Sequence, residues 1–168
     1  MIKLLESDQF DSSIHLRLIR SEDTSDLRDI YVDSIKSLAQ SCYSNTQIEA
    51  WASLANLPGI FDRPLEDGRG WAVLKRNKIE AFALRHPLDR LALLYCRGRS
   101  SRKGYANKLL ECIESDAFEE GIRLLSTEAS FLSYSLLLRR GWEEQSIETI
   151  EISGIRFERY RMLKRLCF

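Results

Sequence analysis

A strand, a helix and a second strand in the middle of the chain constrain its fold more than any other feature. Residues 91–96 form a nearly continuous apolar run, as expected of a central strand that is covered on both faces. The helix that follows Gly104 carries an apolar stripe and ends at Gly121, a suitable C-terminal cap, and a short strand begins at Ile122. The length of this unit predicts a crossover between two parallel strands.

Strand and helix signals also alternate outside this unit. Apolar residues at helical spacing from Leu27 to Leu38 predict one helix, and Ser44 with Gln47 has the form of a capping box that begins a second. A short helix is predicted from Phe131 to its stop at Gly141. Strand-like runs are found at residues 14–19, 71–74, 79–84, 142–152 and 155–166. The order predicts an α/β fold with a mixed sheet, in a single domain over residues 14–168 that follows an N-terminal extension of residues 1–13.

Residues 57–70 separate the second helix from the next strand. They contain two of the three prolines and three of the eight glycines, so the sequence predicts a long loop there. Long loops in compact domains often face a substrate. Residues 76–78 are polar and predict a hairpin turn between the strands at residues 71–74 and 79–84.

Composition excludes several classes of protein. The 25 basic and 25 acidic residues cancel, so no net charge attracts the chain to nucleic acid or to an anionic membrane. The widely spaced Cys42, Cys96, Cys112 and Cys167 form no C-x-x-C pair and indicate free thiols rather than a zinc site or a disulfide framework. The N-terminus turns polar after a few apolar residues, too few for a signal peptide or a transmembrane helix, which predicts a cytoplasmic protein without membrane contact.

A basic segment that contains glycine connects the central strand to its helix. It reads Ser101-Arg102-Lys103-Gly104-Tyr105-Ala106 and stands where the helix begins. The first turn of a helix leaves backbone amides unpaired and carries the positive end of the helix dipole, so it favours a phosphate. Glycine lets the phosphate approach the backbone. A solvated basic loop fits the same spacing, and the segment alone does not decide between the two interpretations.

This segment resembles the Q/R-x-x-G-x-G/A signature of the GNAT superfamily of N-acetyltransferases. The strand before it ends in Leu94-Tyr95-Cys96, where the family often has L-Y-V. Further segments similar to family patterns are found at residues 43–52, as in one group of bacterial members, at residues 128–130 and at residues 137–142. The resemblance covers residues 15–166 in matching order.

The resemblance implies a fold, a cofactor and a reaction. The fold would be a mixed, mostly antiparallel central sheet with a parallel splayed pair, flanked by helices. Acetyl-CoA or another acyl-CoA would be the co-substrate, without a metal, and an unidentified primary amine on a small molecule or peptide would attack it directly in a ternary complex. The protein would be a monomer or a homodimer.

The same resemblance implies roles for individual residues. The main-chain amide of Cys96 would polarise the thioester carbonyl, Tyr134 is a candidate for the missing catalytic hydroxyl, and Tyr43 and Trp51 would line the acceptor side. The residues implied in coenzyme binding are Leu94, Tyr95, Cys96, Ser101, Arg102, Lys103, Gly104, Tyr105, Ala106 and Ser130. Candidates for the base are Tyr95, Glu128, Tyr134, Glu80 and His86.

Two departures from the family pattern leave alternatives open. Ser101 stands where the family has glutamine or arginine, and Leu137 stands where many members have a tyrosine that protonates the leaving thiolate. Both favour a second hypothesis, an inactive acyl-CoA sensor or scaffold of the same fold. A third hypothesis is a nucleic-acid-binding module that uses the basic loop, which the zero net charge disfavours.

Overall fold

The computed structural model describes residues 13–167, which form one seven-stranded sheet in the order β1-β2-β3-β4-β5-β7-β6. The strands are β1 Ile14–Leu18, β2 Arg69–Lys75, β3 Lys78–Arg85, β4 Arg90–Cys96, β5 Leu124–Ala129, β6 Glu143–Ile152 and β7 Ile155–Arg165. The helices are α1 Thr24–Leu38, α2 Asn45–Ser53, α3 Asp62–Asp67, α4 Tyr105–Glu119 and α5 Phe131–Arg139. β4 and β5 run parallel, and all other neighbouring strands run antiparallel, which confirms the predicted fold class.

Helices cover both faces of the sheet. α4 packs on one face through Leu109, Leu110 and Ile113, each of which is fully buried. On the other face α1 packs against β3 and β4, with Leu27 and Ile30 fully buried, and α2 packs against α1 and β7. Burial of each such side chain contributes about 1.5–3 kcal/mol, so these two apolar layers hold the helices to the sheet.

The structure corrects two predicted boundaries. Residues 57–70 are not one long loop, because α3 occupies Asp62–Asp67 and β2 begins at Arg69. Pro64 lies in the first turn of α3, where a residue without an N–H group is tolerated. The strand predicted to begin at Ile122 begins instead at Leu124 and continues to Ala129.

A β-bulge on β4 lies next to the point where the two parallel strands diverge. β4 and β5 are paired at Arg90 with Ser126 and at Leu91 with Thr127. On the other side of β4, the register with β3 advances by two residues on β4 for one on β3, so that Ala92 is the extra residue. A bulge bends the strand that carries it. The Thr127 hydroxyl donates to the Leu91 carbonyl oxygen at 2.8 Å, which satisfies that acceptor where the ladder ends.

Side chains on both faces also connect the two halves of the sheet, β1 to β4 and β5 to β7. On the α2 face, Gln47 Nε2 donates to the carbonyl oxygen of Arg156 on β7 at 3.0 Å. On the α4 face, the buried Glu114 accepts hydrogen bonds from Trp142 Nε1 at 3.2 Å and from Arg140 Nη2 at 3.0 Å. These contacts hold the halves together across the gap that the divergence of β4 and β5 opens.

An ion pair fixes the entry to α1 and makes stability depend on pH. Asp23 accepts hydrogen bonds from Nη1 and Nη2 of Arg17, at 2.7 and 2.8 Å, and these hydrogen bonds hold the pKa of Asp23 below its ordinary value. A carboxylate with a lowered folded-state pKa stabilises the fold above its unfolded-state pKa, and the contribution is lost as the pH falls through the folded-state value.

Asp23→Asn is therefore expected to lower the free energy of unfolding by about 1–3 kcal/mol at neutral pH. Denaturant titrations of both proteins at neutral and at acid pH should show this difference shrink in acid; an equal difference at both would contradict it.

The predicted N-terminal extension lies outside the described residues except for Ser13. Among residues 13–167, no helix combines the length and the apolar character that crossing a bilayer requires.

Candidate active site

A cleft of about 990 Å³ opens where β4 and β5 diverge. One wall is formed by β4 and the turn before α4, and the other by β5 and α5. On the face of the sheet opposite α4, the cleft is bordered by α1, α2 and the β6–β7 hairpin. Eleven of the predicted site residues line it: Tyr43, Trp51, Leu94, Tyr95, Cys96, Ser101, Arg102, Gly104, Tyr105, Ala106 and Ser130. Lys103 and Tyr134 are not among its lining residues.

The mouth of the cleft is the N-terminus of α4, a helix of 15 residues. Gly104 caps it with φ +80°, and Arg102 two residues earlier also has a positive φ, of 59°. A left-handed conformation is free of strain for glycine but costs a residue such as arginine about 1 kcal/mol or more. Apart from the adjoining backbone, no atom of residues 13–167 lies within 4 Å of where a Gly104 Cβ would stand, so the space on that side of the turn is open. The unpaired amides of the first helical turn can therefore meet a ligand there.

Glu80 anchors the loop before this turn, which the sequence did not predict. Its carboxylate accepts hydrogen bonds from Arg99 Nε at 3.0 Å and from the Ser100 hydroxyl at 2.6 Å. Burial raises the pKa of Glu80, but the hydrogen bonds from Arg99 and Ser100 outweigh it and leave that pKa below its ordinary value. The side chain is 6% exposed and is not among the residues that line the cleft, so its position does not support a role for Glu80 as the base.

Backbone alternation directs two amides of β4 into the cleft. Arg97 N donates to the Glu80 carbonyl oxygen at 2.9 Å, which marks residues 80 and 97 as a hydrogen-bonded pair of the antiparallel ladder. Such pairs alternate along a ladder, so the N–H groups of Leu94 and Cys96 point away from β3 toward the edge that β5 has left. Burial raises the pKa of the Cys96 thiol to about 11, so the sulfur is protonated at neutral pH.

Aromatic side chains dominate the α1–α2 side of the cleft. The Tyr31 and Tyr95 ring centroids are 4.6 Å apart, and those of Tyr43 and Trp51 are 5.3 Å apart. The Tyr43 hydroxyl accepts a hydrogen bond from the Phe131 amide at 3.0 Å, which joins this cluster to the start of α5. Burial raises the pKa of both Tyr31 and Tyr95, so neither phenol is ionised at neutral pH.

An ion pair lies at the vertex of the cleft, the point where β4 and β5 begin to diverge. Arg90 donates to Glu128 Oε2 from Nε at 2.8 Å and from Nη2 at 2.7 Å. The Glu128 side chain is 19% exposed, and both residues line the cleft. Because the Glu128 carboxylate lines the cleft, it can orient an amine there or accept its proton.

Other candidate residues lie elsewhere. The Tyr134 hydroxyl donates to Glu144 at 2.5 Å, its ring stacks on Tyr160 at 4.0 Å, and the hydrogen bond to Glu144 raises its pKa. This position outside the cleft lining does not support the predicted catalytic role of Tyr134. His86 does not line the cleft either, whereas Leu137 does and is 1% exposed.

Two arginines of the basic loop are engaged within the protein. Arg99 pairs with Glu80, and Arg97 Nε donates to the Ile79 carbonyl oxygen at 3.2 Å. Cations paired in this way contribute less to phosphate binding along a nucleic acid, which relies on unpaired lysine and arginine side chains. The structure adds this argument to the one from net charge.

The fold is shared with solved acetyltransferase structures. A GCN5-related N-acetyltransferase from Rhodopseudomonas palustris is 26% identical, with a TM-score of 0.86 over 92% of this chain and 97% of that one. The PaiA N-acetyltransferase from Thermoplasma acidophilum, solved in complex with coenzyme A, is 19% identical, with a TM-score of 0.68 over 91% and 99%. An N-acetyltransferase from Staphylococcus aureus is 15% identical, with a TM-score of 0.66 over 91% and 97%.

No protein-family model matches the chain, and no curated protein matches it. The fold and the resemblance of residues 15–166 agree, and the likeness to the Rhodopseudomonas protein extends over almost the whole of both chains. The chain belongs to the GNAT superfamily of N-acetyltransferases.

Proposed function

We propose that the protein is an acyl-CoA-dependent N-acyltransferase that transfers an acyl group, most simply acetyl, to a primary amine within a ternary complex. The observation that carries the proposal is the position of the α4 N-terminus, which opens with its left-handed turn at the mouth of the cleft between β4 and β5. A diphosphate at this turn would meet unpaired amides and the positive end of the helix dipole.

The residues present fit the coenzyme. The open space around Gly104 admits a diphosphate, and Arg102 and Lys103 supply positive charge beside it. Ser101 offers a hydroxyl in place of the longer family side chain, and the pantetheine arm would pair with the free edge of β4 at Leu94 and Cys96. Ser130 at the start of α5 faces it from the opposite wall. When bound, the coenzyme supplies an acyl group activated as a thioester.

Different residues of the cleft would carry out proton transfer, oxyanion stabilisation and acceptor binding. Glu128 at the vertex would take the proton of the acceptor amine, directly or through water, so that the nitrogen can attack the thioester carbonyl carbon. The amide of Leu94, which lies further from the diphosphate than that of Cys96, would stabilise the oxyanion, a contribution of about 2.7–4 kcal/mol for one donor in a known case. The carbon–sulfur bond then breaks, and the thiolate, a good leaving group, departs without an obligatory acid. Tyr43 and Trp51 would contact the acceptor.

Two measurements on the purified protein test the proposal. Calorimetric titration with acetyl-CoA and with CoA should show saturable binding of both. A panel of primary amines, incubated with protein and acetyl-CoA, should then include acceptors that release thiol in proportion to the protein added. If neither coenzyme form binds, by heat or by competition, the proposal fails.

The Cys96 thiol is not expected to take part in the reaction. Because its role is assigned to the main chain and burial keeps the sulfur protonated, Cys96→Ala should retain the amine-dependent rate. We expect any loss in kcat/KM to stay below about tenfold, the equivalent of 1.4 kcal/mol. Thiol release by the two proteins measures this. A loss of several orders of magnitude with native coenzyme affinity would instead indicate a covalent role for the sulfur.

A second candidate function is a coenzyme-binding protein without catalysis. The specific observation in its favour is Leu137, an apolar side chain in the cleft where many superfamily members have a tyrosine, together with the position of Tyr134 outside the cleft lining. Tight CoA binding without thiol release for any amine of the panel would support this function over the first.

A further inference from the structure

A buried carboxylate outside the cleft holds the loop that leads into the coenzyme turn. Glu80 on β3 is 6% exposed at its side chain, whereas its partner Arg99 is 63% exposed. Arg99 reaches it through two nitrogens, Nε at 3.0 Å and Nη2 at 2.5 Å, and the Ser100 hydroxyl adds a third hydrogen bond at 2.6 Å. The Arg97 amide donates to the Glu80 carbonyl oxygen. Three loop residues are therefore attached to this one residue of β3.

A second carboxylate holds the same loop from the side of α1. Asp33 Oδ2 accepts a hydrogen bond from the Gly98 amide at 2.8 Å. A Cβ on Gly98 would stand 2.4 Å from the Cβ of Ser37, so the loop backbone approaches α1 as closely as only glycine permits. Every residue from 97 to 100 is thus fixed to β3 or to α1.

These anchored residues end where the coenzyme turn begins. Ser101 follows directly, and the next residues include Arg102 and Gly104 in left-handed conformations. Backbone in such a sparsely populated conformation persists only where the surrounding structure holds it. Because the Arg99 guanidinium is bound to Glu80, its charge is largely neutralised within the loop.

We infer that Glu80 is a positioning residue for the coenzyme, whose carboxylate fixes residues 97–100 so that the amides of residues 101–106 are held ready for the diphosphate. The inference rests on the function proposed above and concerns the same site. It assigns Glu80 no contact with the coenzyme.

Whether Glu80→Gln weakens or strengthens CoA binding distinguishes a positioning role from an effect of charge alone. Glu80→Gln removes a negative charge near a site for a polyanion, so an effect of charge alone would strengthen CoA binding. Loss of positioning would weaken it. We expect calorimetric titration of the full-length Glu80→Gln protein to show a Kd for CoA about tenfold higher, as is common when a residue that orients a binding group is lost. The KM for acetyl-CoA should rise similarly, with kcat largely retained.

Two further variants make the result decisive. Ser100→Ala removes one hydrogen bond to Glu80 without a change of charge, and a smaller increase in Kd is expected. Asp116→Asn is the matched control. Like Glu80, Asp116 accepts a hydrogen bond from an arginine Nε, that of Arg69 at 2.7 Å, and one from a second donor, Trp71 Nε1 at 2.8 Å, but it lies away from the cleft. Its Kd for CoA should equal that of the native protein. Thermal unfolding of each variant reports whether its fold persists.

The outcomes separate this inference from the proposed function. If the native protein binds CoA and Glu80→Gln binds it equally or more tightly, the positioning role is refuted while the function stands. If Glu80→Gln does not fold, Ser100→Ala decides, and an unchanged Kd in that variant refutes the role. If the native protein itself fails to bind CoA, it is the function that is refuted.

Discussion

Gly104→Glu is expected to abolish binding of CoA and acetyl-CoA while the protein stays folded. The substitution places a carboxylate in the open space at the α4 N-terminus, where the proposal puts the diphosphate, so charge repulsion and steric overlap act together. A residue other than glycine at φ +80° also carries backbone strain of about 1–2 kcal/mol. We expect the affinity to fall by at least about 100-fold, which corresponds to 2.7 kcal/mol. Calorimetric titration measures the loss, and circular dichroism verifies the fold.

The other end of the same helix offers a matched control. Gly121 follows α4, has a φ of +86° and, like Gly104, has no atom within 4 Å of its Cβ position. Gly121→Glu therefore introduces the same side chain with a similar strain but far from the proposed coenzyme turn. It should lose comparable stability and keep the native Kd for CoA. Equal Kd values in both variants and the native protein would contradict a coenzyme site at Gly104.

Glu114→Ala is expected to be the most destabilising of the substitutions considered. The Glu114 side chain is 5% exposed and accepts hydrogen bonds from Arg140 and Trp142, with Lys164 Nζ also within 3.5 Å. Its loss would remove the carboxylate that two partly buried cations and an indole N–H share. Removal of one partner from a buried ion pair typically costs about 3–5 kcal/mol. Denaturant unfolding followed by tryptophan fluorescence measures the change in the free energy of unfolding.

Glu111 provides the comparison on the same helix. It lies one turn earlier, its side chain is 49% exposed, and its ion pairs with Lys108 and Arg140 span 3.6 Å. Exposed pairs of this kind contribute about 0–1 kcal/mol, so Glu111→Ala should unfold at nearly the native denaturant concentration. Similar losses in the two variants would show that the helix charge, rather than the buried network, determines the cost.

Much of the fold follows from local signals in the sequence. The Ser44–Gln47 capping box forms as predicted, with Gln47 N donating to the Ser44 hydroxyl at 3.2 Å. Gly121 and Gly141 end their helices with positive φ, and the hairpin turn at Arg76 and Asn77 has positive φ at both residues. Each signal rests on the conformation of a few neighbouring residues, so it can be recognised without the tertiary structure. The parallel pair also follows, because the lengths of its strand, helix and strand allow few other arrangements.

The positions of Tyr134 and Glu80 depend on contacts distant in sequence. Whether Tyr134 faces the cleft is decided by Glu144 and Tyr160, which reach it from the β6–β7 hairpin. The role of Glu80 depends on a loop 19 residues away. One signal could have indicated burial of Glu80, since apolar residues occupy both alternating sets of positions in residues 79–84 and predict a strand covered on both faces. A carboxylate in such a strand requires partners, and four basic residues follow at 97–103.

The early divergence of β4 and β5 connects the coenzyme to the thermal stability of the fold. Two residue pairs join the strands, and beyond them each presents an edge that no other strand covers. A molecule that lies between these edges binds the folded chain and has no site on the unfolded one. At a free concentration of 100 times its Kd, such a ligand adds about 2.7 kcal/mol to the free energy of unfolding. On the proposed function, the melting temperature of this protein would then follow the cellular supply of acyl-CoA.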